Sequence, residues 1–549
     1  MLKSCVVLFA VSTIGLVASA AAEPASTIVT IDAGAIEGTR SQDGQTLAFK
    51  GIPYARPPMG DLRWRPPQPV RHFKDMPIGK DYGSDCLQMV TDTEAMGSED
   101  CLFLNVWRPA DKTSPDERLP VMVWIHGGGL VMGGSSDKNL KGIYDGSALA
   151  RQGLVVVSLN YRLGRLGFFA HPALIMAAHR GAMNYSGNFG LMDQIAALEW
   201  VQTFIAKFGG DNRQVTVAGE SAGGISVMHL LTSPFTTGKD LFQRAIVMSG
   251  AGRRTVLLRQ MMGGNADKPS ADMIGETFAK SVGIEGSGPD AVAKLLALKP
   301  MKDGTKEATQ LLSDLTFNSL VTKQWLDDPH SSMVMIDNVF VAGEPETALC
   351  HGEAMTMPLI IGTVALELPL FFPPKKEPYP YAYFADQEAA RKTYTDVPLF
   401  AIPLVGMDMT MHEPARFVAK AMTAASNKAW LYRFTYVVDS ADPLAQLIGT
   451  PHSAEIPFLF QTLDKQYDKD KITENDQKMA SAFSSYFVNF AKSADANPNL
   501  GSLPPWPQFD SSFQLMHFRR PANPVEKVPK FEPEPRGGVR LVEQAARCP

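Results

Sequence analysis

Residues 208–224, FGGDNRQVTVAGESAGG, constrain this chain more than any other stretch. Val215-Thr216-Val217-Ala218 is short and β-branched, the composition of a buried strand. Gly219-Glu220-Ser221-Ala222-Gly223 follows, and residues 224–231 can carry a helix. A strand that turns into a helix at a serine between small residues is a nucleophile elbow. Gly219 and Gly223 remove side chains that would collide across so sharp a turn. The Ser221 hydroxyl then projects from the end of the strand. A helix N-terminus behind it favours developing negative charge. A G-x-S-x-G pentapeptide also arises by chance in a chain with 45 glycines, so the reading depends on partners elsewhere.

The surrounding pattern supplies a sheet. Residues 121–125 are a solid apolar run, as in a strand covered on both faces, and they end in His126-Gly127-Gly128-Gly129. Three glycines there leave bare backbone N–H groups, the raw material of an oxyanion hole. Neither G-x-x-x-x-G-K-[ST] nor G-x-G-x-x-G fits this loop, so a phosphate cradle is excluded. Residues 154–161, 245–250 and 358–362 read as further buried strands. Residues 99–107 and 430–437 read as strands with alternating faces. Residues 191–208 read as a helix with Ile195, Leu198, Val201, Ile205 and Phe208 on one face, stopped by Gly209-Gly210. This alternation predicts an α/β protein with a central, mostly parallel sheet and helices on both faces. Residues 251–345 lack strand signals and read as a helical insertion; residues 371–440 read as a second, opened by the loop Pro373-Pro374-Lys375-Lys376.

The composition, 45% hydrophobic and 20% charged, is ordinary for a globular chain. A net charge of −5 leaves no electrostatic footprint for nucleic acid. Lys3, the apolar residues 6–17 and Ala18-Ser19-Ala20 make a signal peptide over residues 1–22, with Ala20-Ala21-Ala22 as an alternative cut site. The apolar run falls short of the roughly 20 residues a spanning helix needs, so no membrane anchor is expected. The mature chain, 23–549, is then expected to be secreted or periplasmic and to form one catalytic domain. Removing Cys5 with the leader leaves Cys86, Cys101, Cys350 and Cys548, which allow three disulfide connectivities. Cys86–Cys101 closes a short polar loop and is the leading pair; Cys350–Cys548 follows by elimination. No cysteine spacing resembles a zinc site, there is no H-E-x-x-H, and no metal or cofactor is expected.

Taken together, the motifs resemble the type-B carboxylesterase family, whose members are α/β-hydrolases. FGG…GESAGG is similar to that family's serine signature and EDCLFLNVWRP, at residues 99–109, to its second signature. GIPYARPP, VMVWIHGGGL, NYRLGRLGFF and GNFGLMDQ support both. The resemblance runs from about residue 36 to 460. It implies an acid at Glu367, in Gly362-Thr363-Val364-Ala365-Leu366-Glu367, although Leu368 stands where the family usually has glycine; Glu344 and Glu353 stay as alternatives. It implies a catalytic histidine at His452, in Gly449-Thr450-Pro451-His452-Ser453-Ala454-Glu455-Ile456-Pro457-Phe458. The order Ser, Glu, His is that of α/β-hydrolases.

Roles follow from chemistry. A neutral serine is a weak nucleophile, so His452 is expected to take its proton. Glu367 is expected to fix the imidazole and stabilise its charged form. By resemblance, Gly128, Gly129 and Ala222 donate to the oxyanion, Glu220 and Ser249 support the triad, and Arg63–Glu99 and Arg162–Asp193 are ion pairs of the fold. The expected partner is a small-molecule ester, cleaved through an acyl-enzyme. Amide or carbamate hydrolysis uses the same chemistry and stays open, as does a non-catalytic binding module of this fold. The 86–101 loop holds no tryptophan, which removes the cation-stacking feature of the cholinesterase branch.

Overall fold

The computed structural model describes residues 26–73, 78–110, 118–136, 142–180, 187–250, 258–265, 268–313, 334–367, 381–384, 386–394, 398–510, 512, 514–521, 529–534 and 537–545. The leader, the Pro373–Lys376 loop and Cys548 lie outside them.

One large sheet organises the chain. Its strands, numbered here in chain order, are β1 (Thr39–Arg40), β2 (Thr46–Pro53), β3 (Phe103–Pro109), β4 (Leu119–Ile125), β5 (Val155–Leu159), β6 (Gly210–Glu220), β7 (Arg244–Met248), β8 (Leu359–Val364), β9 (Ala429–Phe434), β10 (Gln514–Phe518) and β11 (Lys530–Pro533). They lie in the order 1-2-3-5-4-6-7-8-9-10-11. Every pairing from β5 through β10 is parallel, and the pairings at the two edges are antiparallel. This is the mostly parallel α/β sheet that the strand–helix alternation predicts.

Side-chain alternation gives the sheet two cores, one on each face. Val121, Val123, Ile125, Val215, Val217, Leu359 and Ile361 join one core. Met122, Trp124, Ala218 and Ile360, their neighbours along the same strands, join the other, with Ile246 of β7 and Trp430 of β9. Strands buried on both sides are therefore apolar at every position, which is why β4 and β5 read as solid runs. On the first face lie α1 (Phe189–Phe204) and α2 (Ala222–Thr232). A helical segment of α3 (Pro398–Met407), a π-turn (Asp408–His412) and α4 (Glu413–Ala424) follows; α4 joins the same core, while Ala401 and Val405 of α3 pack with Phe384, Tyr394 and Val542 in a smaller third cluster. On the second lies α5 (Glu474–Lys492), opened by a capping box between Thr473 and Asp476. A last helix, α6 (Gly537–Ala545), follows β11. No described helix is long and apolar enough to cross a membrane.

Several boundaries differ from the sequence reading. The expected helix over 191–208 tightens into a 3₁₀ turn, Ile205–Phe208, before Gly209 ends it at φ +85°. β3 starts at Phe103, not Glu99, and both it and β9 are buried on both faces. Alternation misled there because the inward polar residue of β9, Arg433, is buried against Glu534 at 3.1 Å. Among its described residues, the 251–345 region contains two three-residue strands, Leu258–Gln260 and Val334–Ile336, paired in parallel. They are too short to leave a period in sequence. The second is held by Asn188, which donates to the Met335 carbonyl at 2.8 Å and accepts from its amide at 2.8 Å.

Cys86 and Cys101 form a disulfide. Cys350 is also disulfide-bonded. Arg63 meets Glu99 at 2.6 Å, and the buried Arg162 meets Asp193 at 2.7 Å.

Candidate active site

β6 runs into α2 at Ser221, whose φ of +56° is a strained conformation for a residue with a side chain. Its amide donates to the Met248 carbonyl of β7 at 2.9 Å, which pins the turn. The packing explains the small residues. A Cβ on Gly223 would lie 2.1 Å from the Ile125 carbonyl at the end of β4, so no larger residue fits.

That same β4 end brings the glycine loop to the serine. A Cβ on Gly127 would lie 3.0 Å from the Ser221 Cβ. The next two residues, Gly128 and Gly129, have φ of +102° and +64°. Among the described residues nothing accepts a hydrogen bond from the amides of Gly128, Gly129 or Ala222. Ala222 opens α2, where a helix leaves its first N–H groups free. These are unspent donors beside a hydroxyl. The segment after the loop is braced from the disulfide region: Gln88 donates to the Gly133 carbonyl at 2.7 Å and accepts its amide at 2.9 Å, and Ser136 donates to Asp85 at 2.6 Å.

Glu367 and His452 come from later loops. Glu367 follows β8 and is 3% exposed. Its Oε1 accepts from Ser249 Oγ at 2.6 Å and from the Val364 amide at 2.9 Å; its Oε2 lies 2.6 Å from His452 Nδ1. The alternative acids fare differently. Glu344 is the residue before a short helix, Pro345–His351, and Glu353 is an exposed residue 3.8 Å from His351. A bridge between Leu366 and Pro451, with the Leu366 amide donating to Thr450 at 2.9 Å, ties the acid loop to the histidine loop. The other ring nitrogen, His452 Nε2, is buried and makes no hydrogen bond among the described residues. It lies 3.3 Å from Glu220 Oε1, close enough for charge but not aligned for a bond. Glu220 is held in turn by Ser453 Oγ at 2.6 Å. So the sequence-predicted Ser221, Glu367, His452, Glu220, Ser249 and glycine loop converge at the carboxyl ends of β4, β6, β7 and β8.

Burial alone would lower the His452 pKa. The carboxylates of Glu220 and Glu367 overcome it and raise the imidazole to about 9. Burial pushes the Glu220 carboxyl up, and the neighbouring imidazolium pulls it back. Glu455, a letter of the histidine motif with no role read for it in sequence, is 0% exposed, and neither carboxylate oxygen has a hydrogen-bond partner among the described residues. Burial, with Glu220 and Glu367 nearby, holds its carboxyl well above the usual range. Ser453 and Val364 also belong to the site. Nothing in the residue letters marks Val364, because its contribution is a backbone amide.

A second line of similar distances exists at the sheet edge. Thr435 Oγ1 lies 2.8 Å from His517 Nε2, and His517 Nδ1 lies 2.6 Å from Glu532 Oε1. Thr435 directly follows a regular strand, and its amide is committed to the Phe518 carbonyl at 2.7 Å. Ser221 differs by its forced turn and the unspent amides around it.

A model of the carboxylesterase family matches residues 25–397 and 401–532. The chain belongs to the carboxylesterase family. Para-nitrobenzyl esterase of Bacillus subtilis (strain 168) is 34% identical over 502 residues, which cover 88% of this chain and 92% of that protein. Fumonisin B1 esterase of Sphingopyxis macrogoltabida is 32% identical over 508 residues, covering 88% and 85%. A solved PNB esterase structure superposes with a TM-score of 0.71 at 30% identity, covering 94% of this chain and 99% of that one. This carboxylesterase is accordingly an α/β-hydrolase that cleaves carboxylic esters as a serine hydrolase.

Proposed function

We propose that the enzyme is exported and cleaves small-molecule esters through an acyl-enzyme on Ser221, with His452 as base and Glu367 as its acid. The observation that carries this reading is the convergence of Ser221, strained at φ +56° and with no side-chain capping bond, with a His452–Glu367 contact of 2.6 Å. His452 Nε2 is the nitrogen left to take the serine proton as Ser221 Oγ attacks the ester carbonyl. Glu367 holds the ring by Nδ1 and balances the positive charge it gains. The amides of Gly128, Gly129 and Ala222 meet the negative charge of the tetrahedral intermediate, already in place before the reaction. The imidazolium then protonates the leaving alcohol, and water repeats the cycle on the acyl group. Ser249, bonded to Glu367 at 2.6 Å, keeps the carboxylate aimed.

Export rests on the leader at residues 1–22 and on the Cys86–Cys101 bond, which an oxidising compartment favours. One experiment addresses both parts of the proposal. Protein recovered from the periplasm or medium is treated with a fluorophosphonate and weighed intact. The expected mass is a chain beginning near Ala21 or Glu23 plus one phosphonyl group, mapped to Ser221. Labelling elsewhere, or an uncleaved N-terminus, would contradict the corresponding part.

The pH dependence follows from the raised imidazole. His452 must be neutral to accept a proton, so kcat/KM should rise with pH. Because the site raises the imidazole from 6.5 to about 9, the rising limb should lie on the alkaline side of free histidine. Glu220→Gln removes one of the carboxylates responsible, so its limb should move toward acid. A limb at the same pH in both proteins would remove Glu220 from the electrostatics of the base.

A further inference from the structure

A buried polar cluster sits against the strand that leads to Glu367. The π-turn between α3 and α4 brings Asp408 and His412 to it, and such turns recur at functional sites. His412 Nδ1 lies 3.1 Å from Thr363 Oγ1 on β8 and accepts from the Arg433 guanidinium on β9. Thr363 and Arg433 are register partners, so His412 spans two adjacent strands at their carboxyl ends. Arg433 also donates to the Val364 carbonyl at 3.4 Å and to both Glu534 oxygens at 3.1 Å. Thr363, Asp408, His412 and Arg433 are each at most 2% exposed.

The guanidinium can only donate, so His412 Nδ1 accepts and the ring is neutral, with its proton on Nε2. Nε2 faces Asp408 Oδ1 at 3.9 Å. Glu534 already balances the Arg433 charge. What His412 adds is orientation. Val364 connects this cluster to the acid: its carbonyl accepts from Arg433, and its amide donates to Glu367 Oε1 at 2.9 Å.

We propose that His412 is a positioning residue, which holds Thr363, Arg433 and through them Val364 so that Glu367 meets His452 squarely. The inference rests on Glu367 being the acid. A carboxylate rotated away from Nδ1 stabilises the imidazolium less, and small misplacements of a reacting array lower turnover steeply.

The test compares His412→Leu, His412→Gln and Thr363→Val with the parent enzyme, well below their melting temperatures. His412→Leu should lower kcat by about tenfold with KM within about twofold. It should also move the rising limb of kcat/KM toward acid. His412→Gln can still accept from Arg433 and should recover most of the loss. Thr363→Val keeps the shape, removes only the hydroxyl contact, and should show the same signs more weakly. If His412→Leu does not fold, Thr363→Val carries the test. Combining His412→Leu with Glu367→Gln should add little to the loss from Glu367→Gln alone, because the two changes act through one group. Lower thermal stability with kcat and the pH limb unmoved would reduce His412 to a structural role and overturn the proposal. A Glu367→Gln enzyme of normal activity would instead overturn the acid assignment on which it rests.

Discussion

Ser221→Ala should lower turnover by roughly 10⁴-fold or more, because members of a triad act as one unit and removing the nucleophile removes the covalent route altogether. The variant should keep its fold and its thermal midpoint. Alanine fits the turn at least as easily as serine, and among the described residues Ser221 Oγ makes no capping bond whose loss would be felt. A residual rate above uncatalysed hydrolysis is expected, since the amides of Gly128, Gly129 and Ala222 remain in place for a water-derived oxyanion. Steady-state assay on an activated ester, with a melting curve of the same preparation, checks both parts. Near-normal turnover in the variant would place the nucleophile elsewhere. The Thr435–His517–Glu532 line would then be the first place to look, since its contacts of 2.8 and 2.6 Å already resemble a triad.

Glu367→Gln should lower kcat by about 10³- to 10⁴-fold with a much smaller change in KM. The amide keeps the volume, and its oxygen can still accept from Ser249 and Val364. The other end then presents an NH₂ group where His452 Nδ1 requires an acceptor. The imidazole is held in the wrong tautomer and loses a carboxylate that stabilises its charged form. The same change at Glu353 should do nothing measurable, because that side chain is exposed and its ion-pair contact is His351 at 3.8 Å. A large effect at Glu353 with none at Glu367 would move the acid to the other loop.

The parts legible in sequence are those where chemistry leaves little choice of residue. The elbow needs small residues because Gly223 lies against the Ile125 carbonyl, and an apolar strand needs cover on both faces, so both announce themselves. His452 and Glu367 were located by their motifs, which fix order and spacing and nothing about contact. What stayed hidden was carried by backbone groups or by tertiary burial. Val364 acts through its amide. The letter Glu455 is plain in the sequence, but that its carboxylate finds no hydrogen-bond partner among the described residues depends on what surrounds it. His412 joins the site region only because a π-turn rotates it toward Thr363. The alternation of β9 misreads for a related reason: a buried arginine with a paired glutamate looks like a solvent-facing position until its partner, 101 residues away, is placed.

Glu455 and His452 also set activity against stability along the pH scale. A histidine whose folded pKa is raised from 6.5 to about 9 contributes stability fully below 6.5 and loses it as pH climbs through about 9. Glu455, whose carboxyl is held above the usual range, is protonated when folded and ionised when unfolded over a span above 4.5, so the native state binds the extra proton there too. By linkage, both groups make unfolding easier as pH rises. In the proposed mechanism the same deprotonation of His452 switches the base on. The alkaline conditions that give each molecule its fastest turnover are those in which the fold resists heat least. In prolonged use, the most product should therefore form at a pH below the kinetic plateau.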